Sequence, residues 1–179
     1  NILSKPLVTT QVLDIPNRRL EASYVVGNYT SLTSVAVSGD GQIVLTSGYG
    51  YVRLWNKEDN RTKNLLKRHP YWINSVAISG DDTTIVSGSE DGLVRLWTKE
   101  GKPIGLPFEG HTDVVTSVAI SQDGKTIVSG SRDGTVRLWT REGKPIGLPF
   151  EGHTDVVTSV AISQDGQTIV SGGRDRAIR

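Results

Sequence analysis

Apolar residues along the chain fall into short runs separated by polar turn signals, and the runs recur at a fixed spacing. In the clearest stretch, Val114–Ser121 leads through Gln122-Asp123-Gly124 into Lys125–Ser129. A second Asp-Gly pair, Asp133-Gly134, leads into Thr135–Thr140. Asp-Gly between two apolar runs signals a hairpin, because the turn needs residues that accept positive φ. Arg141-Glu142-Gly143-Lys144 then turns the chain into a fourth run, Pro145–Phe150. The pattern predicts four short antiparallel strands per unit. No window carries a sustained helical period, and the strands are too closely spaced for β-α-β units. Apolar side chains lie on both strand faces, as in Val118-Ala119-Ile120 and Val136-Arg137-Leu138-Trp139. A sheet that is apolar on both faces needs a neighbour on each side, which radially stacked sheets supply.

The spacing of the runs is a tandem repeat, and its period can be read from Arg-Leu-Trp, which stands at 53–55, 95–97 and 137–139. Thr116-Ser-Val-Ala-Ile-Ser121 recurs at 158–163 and, beginning with Asn74, at 74–79. A fourth copy, Thr33-Ser-Val-Ala-Val-Ser38, stands one place out of step with that period. Residues 100–137 and 142–179 are identical at 33 of 38 positions, the mark of a recent duplication. A repeat of this kind points to an array in which each unit buries its faces only against its neighbours.

Within each unit, Gly110-His111 precedes Asp133-Gly134 and then Trp139, and the set recurs as Gly152-His153 with Asp175 and as Arg68-His69, Asp91-Gly92 and Trp97. These residues resemble the WD-repeat (β-transducin) signature of β-propeller proteins, with Thr98, Thr140 or Asn56 following the Trp in place of Asp. The near-identical copies joined by Gly-Lys-Pro-Ile-Gly are similar to bacterial WD-repeat arrays, and the resemblance covers residues 27–179. It implies an all-β fold: a β-propeller of four-stranded antiparallel blades. It also implies a His–Ser–Asp–Trp hydrogen-bond set in each blade: His69, Ser87, Asp91 and Trp97; then His111, Ser129, Asp133 and Trp139; then His153, Ser171 and Asp175, with the sequence stopping at Arg179. The first blade departs, with Asn28 for His and Tyr49 near the Asp position, leaving Ser47 and Trp55. The expected division is a split blade's outer strands at 1–26, blades at 27–67, 68–109 and 110–151, and a shortened blade at 152–179. That makes about four blades. The family usually has seven or eight, so a partial or assembling ring stands beside a closed four-bladed ring as the expectation.

Composition then removes chemistry. With no cysteine there is no disulfide, thiol nucleophile or Cys-containing zinc site. A net charge of +1 supplies no field that selects nucleic acid or an acidic membrane. No apolar run approaches the ~20 residues of a membrane span, and Asn1–Lys5 lacks a leader's apolar core, which gives a cytoplasmic expectation. The His, Ser and Asp set suggests a hydrolase triad, but a catalytic set occurs once per site and this one occurs in every blade. His69, His111 and His153, one to a repeat, sit on successive blades and do not share a metal. Gly124-Lys125-Thr126 lacks the first glycine of a phosphate loop, Ala119 standing there, and Gly48-Tyr49-Gly50 has Arg53 where a third glycine is needed. Asn28-Tyr-Thr30 and Asn60-Arg-Thr62 match glycosylation acceptors, without a secretion signal to support them. No catalytic residue, cofactor or metal site is expected.

Positions where one repeat departs from the others on a shared loop edge carry more information. Tyr71-Trp72 replaces Asp113-Val114 and Asp155-Val156, and the same edge carries Tyr29, Tyr49, Glu90, Arg132 and Arg174. Aromatics with arginine are the residue types of interaction hot spots, and filling of the gap left by a degraded His–Asp pair is the competing role for the aromatics. The expected function is a non-enzymatic protein-interaction scaffold. Family members of this type serve as sensory or regulatory parts of signalling proteins. The alternatives are a carbohydrate or small-ligand binder stacking on Tyr71 and Trp72, and the scaffold of an enzyme whose catalytic part lies outside this chain. Expected partners are a protein and either a further copy of the chain or the rest of its parent, because an open array leaves a blade face uncovered.

Overall fold

Hairpin chemistry and two-faced apolar runs give stacked antiparallel sheets. The computed structural model describes residues 8–14, 19–27, 31–57, 61–66 and 71–179. Strands β1 (Val8–Asp14) and β2 (Arg19–Gly27) form an antiparallel hairpin by themselves. The first blade is β3 (Ser34–Val37), β4 (Ile43–Gly48), β5 (Tyr51–Asn56) and β6 (Arg61–Leu66), in sheet order 3-4-5-6. The second is β7 (Ile73–Ile78), β8 (Thr84–Ser89), β9 (Val94–Thr98) and β10 (Pro103–Phe108). The third is β11 (Val115–Ile120), β12 (Thr126–Ser131) and β13 (Val136–Thr140); the fourth holds β14 (Val157–Ile162) and β15 (Ile169–Gly173). Every pairing is antiparallel, and the described residues contain no helix. The all-β, four-bladed expectation stands. Tyr29 and His69, with Asn28, lie outside the described residues.

The fourth run of the third blade is less regular than expected. Pro145–Phe150 meets β13 only through the bridges Trp139↔Pro145 and Val136↔Phe150, plus Ile146 N–H to Leu138 O at 2.9 Å. Two prolines without N–H groups and Gly147 at φ 72° leave few rungs to form. The same segment one repeat earlier, β10, carries a register break between Ile104 and Phe108 for the same reason.

The hairpin between a blade's first two strands is built from one small circuit. Ser121 Oγ donates to Asp123 Oδ1 at 2.6 Å and accepts from Thr126 N–H at 3.0 Å, while Lys125 N–H donates to that carboxylate at 3.1 Å. Ser38–Asp40, Ser79–Asp81 and Ser163–Asp165 repeat it. These serines, polar breaks at the ends of apolar runs, close the turn before the strand returns.

Blades stack in chain order through their first strands, β3 against β7, β7 against β11 and β11 against β14. Each core lies between two blades: Val86, Val94, Leu96 and Phe108 of the second meet Val115, Val118, Ile127 and Trp139 of the third. Val128 and Val136 meet Val157 and Val160 one junction on, and Leu45, Val52 and Leu54 meet Ile73, Val76, Ile85 and Trp97 one junction back. A hydrogen bond repeats at each junction, Ser34 Oγ accepting from Val76 N–H, Ser75 from Val118 and Ser117 from Val160. Periodic packing therefore follows directly from periodic sequence.

Candidate functional site

In the third blade, His111 precedes the first strand, Ser129 lies in β12, and Asp133 sits in the turn before Trp139 on β13. The four meet as a chain. The Trp139 indole N–H donates to Ser129 Oγ at 2.8 Å, Ser129 Oγ lies 2.8 Å from His111 Nε2, and His111 Nδ1 lies 2.9 Å from Asp133. Since indole is only a donor and carboxylate only an acceptor, the protons run one way: Ser129 O–H donates to Nε2, and Nδ1–H donates to Asp133. Asp133 also accepts from Thr112 N–H, Thr135 N–H and the Thr135 hydroxyl. The set joins the loop before β11, strand β12, the turn and strand β13.

The other blades carry this set with changes. In the second, Trp97 N–H donates to Ser87 Oγ at 3.0 Å, and Asp91 pairs with Arg95 at 2.7 Å. In the fourth, His153 spans Asp175 at 2.9 Å and Ser171 at 2.8 Å, and Arg179 donates to Asp175 at 2.8 Å. The first blade corrects the sequence reading. Trp55 N–H donates to Thr46 Oγ1 at 3.1 Å, whereas Ser47 Oγ pairs with Thr33 Oγ1 at 3.0 Å. Thr46 faces Arg53 across β4–β5 just as Ser129 faces Arg137 across β12–β13, and counted from Ser38 and Ser79, which close the matching strands β3 and β7, it is Thr46 and not Ser47 that stands in the place of Ser87.

Burial holds the His111 imidazole below its ordinary pKa of 6.5, against the pull of Asp133 and with the help of the Arg137 guanidinium. For Asp133 burial acts upward, but the Thr135 hydroxyl, the N–H groups of Thr135 and Thr112, and His111 outweigh it and bring the carboxyl down to about 2. Neutral His beside ionised Asp is thus the native state. Ser129 is fully buried behind Trp139, with its proton committed to His111. Such a hydroxyl positions structure and does not reach a substrate.

The sign of the pH effect follows from these shifts. The unfolded chain binds a proton at His111 more readily than the folded one. The stability this group contributes is therefore complete above pH 6.5 and falls as pH drops below it. Asp133 contributes stability that is complete above 3.8 and is lost as pH falls toward 2. The urea midpoint should decline from pH 7 to 5 and again below 4. In His111→Ala the midpoint should start lower and decline less over the upper interval; equal slopes in parent and variant would remove His111 from the titration.

The structure also brings together the rim residues. Tyr49 bridges to Trp72 of the next blade, their rings meeting edge-on with centroids 5.4 Å apart. Gly50 N–H donates to Tyr71 O, and Glu90 N–H donates to Trp72 O. Tyr49 and Tyr71 are exposed, while Trp72 is half-buried between blades. Glu90, Arg132 and Arg174 follow the second strand of successive blades, and all three line one groove of about 280 Å³. Asn74, Thr116 and Thr158 complete its polar floor. Those three were not singled out by sequence. Their signal was a polar residue in second place of each first strand, as in Val115-Thr116-Ser117-Val118.

Among the described residues, no group of three or more His, Cys, Asp or Glu side chains is placed to hold a metal ion, and no helix is long and apolar enough to cross a membrane. A family model described as WD domain, G-beta repeat, matches residues 21–56, 60–98, 101–140 and 143–179. No curated protein matches the chain.

Proposed function

The chain belongs to the WD domain, G-beta repeat family, and from that premise we propose that it is a non-enzymatic scaffold that binds a protein partner through the rim carrying Tyr49, Tyr71, Trp72, Glu90, Arg132 and Arg174. Family membership supports protein binding in general; the rim supports the location. The observation that carries the reading is continuity. Trp72 touches Tyr49 on one side and accepts the Glu90 N–H on the other, and Glu90 shares its groove with Arg132 and Arg174. An aromatic patch therefore runs into a groove with two arginines, the combination found at interface hot spots. The His111–Asp133 and His153–Asp175 pairs hold the turns that carry Arg132 and Arg174, so docking on those two costs little ordering entropy.

A protein surface suits this rim better than a sugar. Trp72 is half-buried and Tyr49 meets it edge-on, so the indole face is not an open stacking platform, and the exposed rings are those of Tyr49 and Tyr71. Regulatory signalling through a captured partner is the role we assign within this reading. Self-association through uncovered blade faces forms its second part, and its expected outcome is argued in the Discussion.

The test of rim binding is capture by the immobilised chain, with recovered proteins identified by mass spectrometry. A partner retained by the parent should be lost with Arg132→Glu combined with Arg174→Glu, with affinity reduced at least tenfold. Gln122→Ala, a change in the hairpin between β11 and β12, should leave capture unchanged. Equal recovery by the double variant would move the interface away from this rim.

A further inference from the structure

Along the rim groove the repeats change charge where they are otherwise nearly the same. The turn after the second strand reads Ser89-Glu90-Asp91-Gly92 in the second blade, Ser131-Arg132-Asp133-Gly134 in the third and Gly173-Arg174-Asp175-Arg176 in the fourth. The Asp of each turn is engaged within its own blade, by Arg95 in the second, His111 in the third, and His153 and Arg179 in the fourth. The residue before it is exposed in all three, so Glu90, Arg132 and Arg174 set the charge of the groove that they line.

The loops entering the next blade complete the pattern. A Cβ on Gly92 would lie 3.2 Å from Asp113 O, and one on Gly134 would lie 3.7 Å from Asp155 O, so these loops pack on the turns of Glu90 and Arg132. Asp113 and Asp155 are both exposed. Two carboxylates, Glu90 and Asp113, therefore stand at the junction of the second and third blades, while Asp155 offsets Arg132 at the next. The fourth-blade turn carries Arg174 and Arg176. Arg176 holds φ at 63° where Gly92 and Gly134 stand at 77° and 81°, a cation kept in a conformation that glycine adopts without strain. The groove is thus acidic at one end and basic at the other. Its floor is of one chemical kind. Asn74 Nδ2 donates to Val115 O, Thr116 Oγ1 to Val157 O and Thr158 Oγ1 to Gly172 O. With these donors committed, the three side chains offer the groove oxygen acceptors.

We propose that this groove takes an extended segment of the protein partner that carries Lys or Arg at one end and Asp or Glu at the other. The cation lies beside Glu90 and Asp113, the carboxylates beside Arg132 and Arg174, and main-chain N–H groups of the segment face the acceptor floor. The inference rests on the rim reading above and names the partner's chemistry. A uniformly anionic ligand, whether nucleic acid or acidic peptide, is attracted at Arg174 and repelled at Glu90, and a uniformly cationic one meets the reverse. Only a segment of mixed sign is favoured along the whole groove.

The test selects random-sequence peptides displayed on phage against the immobilised 179-residue chain. Enriched peptides should carry a cation and carboxylates in separate halves. Glu90→Arg should enrich carboxylates without the cation, and Arg132→Glu combined with Arg174→Glu should lose the parent's peptides. For one enriched peptide made synthetically, Glu90→Gln and Arg176→Gly should each weaken binding about threefold, the scale of one exposed charge pair. Arg176→Gly should at the same time raise the thermal midpoint, a pairing that a merely structural arginine does not give. Peptides that need Arg132 and Arg174 but carry one sign of charge, or that bind Glu90→Gln as tightly as the parent, would overturn this inference and leave the rim reading standing. No enrichment would overturn it too, with the capture experiment still deciding the rim. Peptides held equally by the double variant would overturn both.

Discussion

Trp139→Ala should destabilise the chain by about 3–5 kcal/mol, the range for removing a fully buried large aromatic side chain. Only 1% of Trp139 is exposed, and its ring fills the junction against Val94, Phe108 and Ile127. Its loss also withdraws the N–H that Ser129 accepts, leaving a buried hydroxyl with one partner fewer. Two milder changes separate the parts. Trp139→Phe keeps much of the apolar volume and loses the hydrogen bond, so it should cost about 1–3 kcal/mol. Ser129→Ala leaves both the indole N–H and His111 Nε2 without their partner, and should also cost about 1–3 kcal/mol. Domains of this size have a total of about 5–15 kcal/mol, so the first change removes a large share. Urea unfolding followed by far-UV circular dichroism gives all three values. A loss below about 1 kcal/mol for Trp139→Ala would mean that the third blade's junction does not hold the array together.

Trp139 also marks how far the sequence could be read. Periodicity, Asp-Gly turns and two-faced strands suffice for the stacked sheets, because each repeat faces the same physical problem and solves it in the same way. The set around His111 was legible residue by residue for that reason. Reading by equivalence fails where a repeat changes length. Thr46 and Ser47 are adjacent hydroxyls before a shortened turn, so the count back from Trp55 and the count forward from Ser38 disagree, and the register with Arg53 settles the indole N–H on Thr46. Pro145–Phe150 has a strand's apolar content, but its rungs depend on where two prolines and a glycine at positive φ fall against β13.

The functional surfaces show the same division. Glu90, Arg132 and Arg174 hold equivalent places in successive repeats, so their convergence in one groove follows from stacking alone. Asn74, Thr116 and Thr158 also line that groove, and they read as ordinary strand residues until the blades are placed side by side.

Glycine at the junctions yields the second large effect, and it bears on assembly. Gly130 lies where a Cβ would come within 2.6 Å of Val157 Cγ1 and 2.9 Å of Val160 Cγ1. Gly88 meets Val115 and Val118 in the same way, at 2.5 and 2.8 Å. Gly130→Val must therefore push two blades apart, and should cost about 1–3 kcal/mol or more. Gly172 is the equivalent position of the fourth blade, and a Cβ there meets nothing within 4 Å. Gly172→Val should change the stability of the isolated chain by less than about 0.5 kcal/mol. The same face carries Val170, 42% exposed where Val86 and Val128 are fully buried. At the other end of the stack Val35 is 60% exposed, although its counterparts Val76, Val118 and Val160 are all buried. These two surfaces have the shapes that meet between the second and third and between the third and fourth blades, a glycine notch and a valine ridge, and both are exposed here. A head-to-tail contact between copies uses both. The 19.4 kDa chain should accordingly sediment as a concentration-dependent dimer or larger species, and Gly172→Val or Val35→Asp should return it to monomer. A parent chain that stays monomeric at every concentration, or a Gly172→Val chain that associates as tightly as the parent, would show that the notch is not a contact.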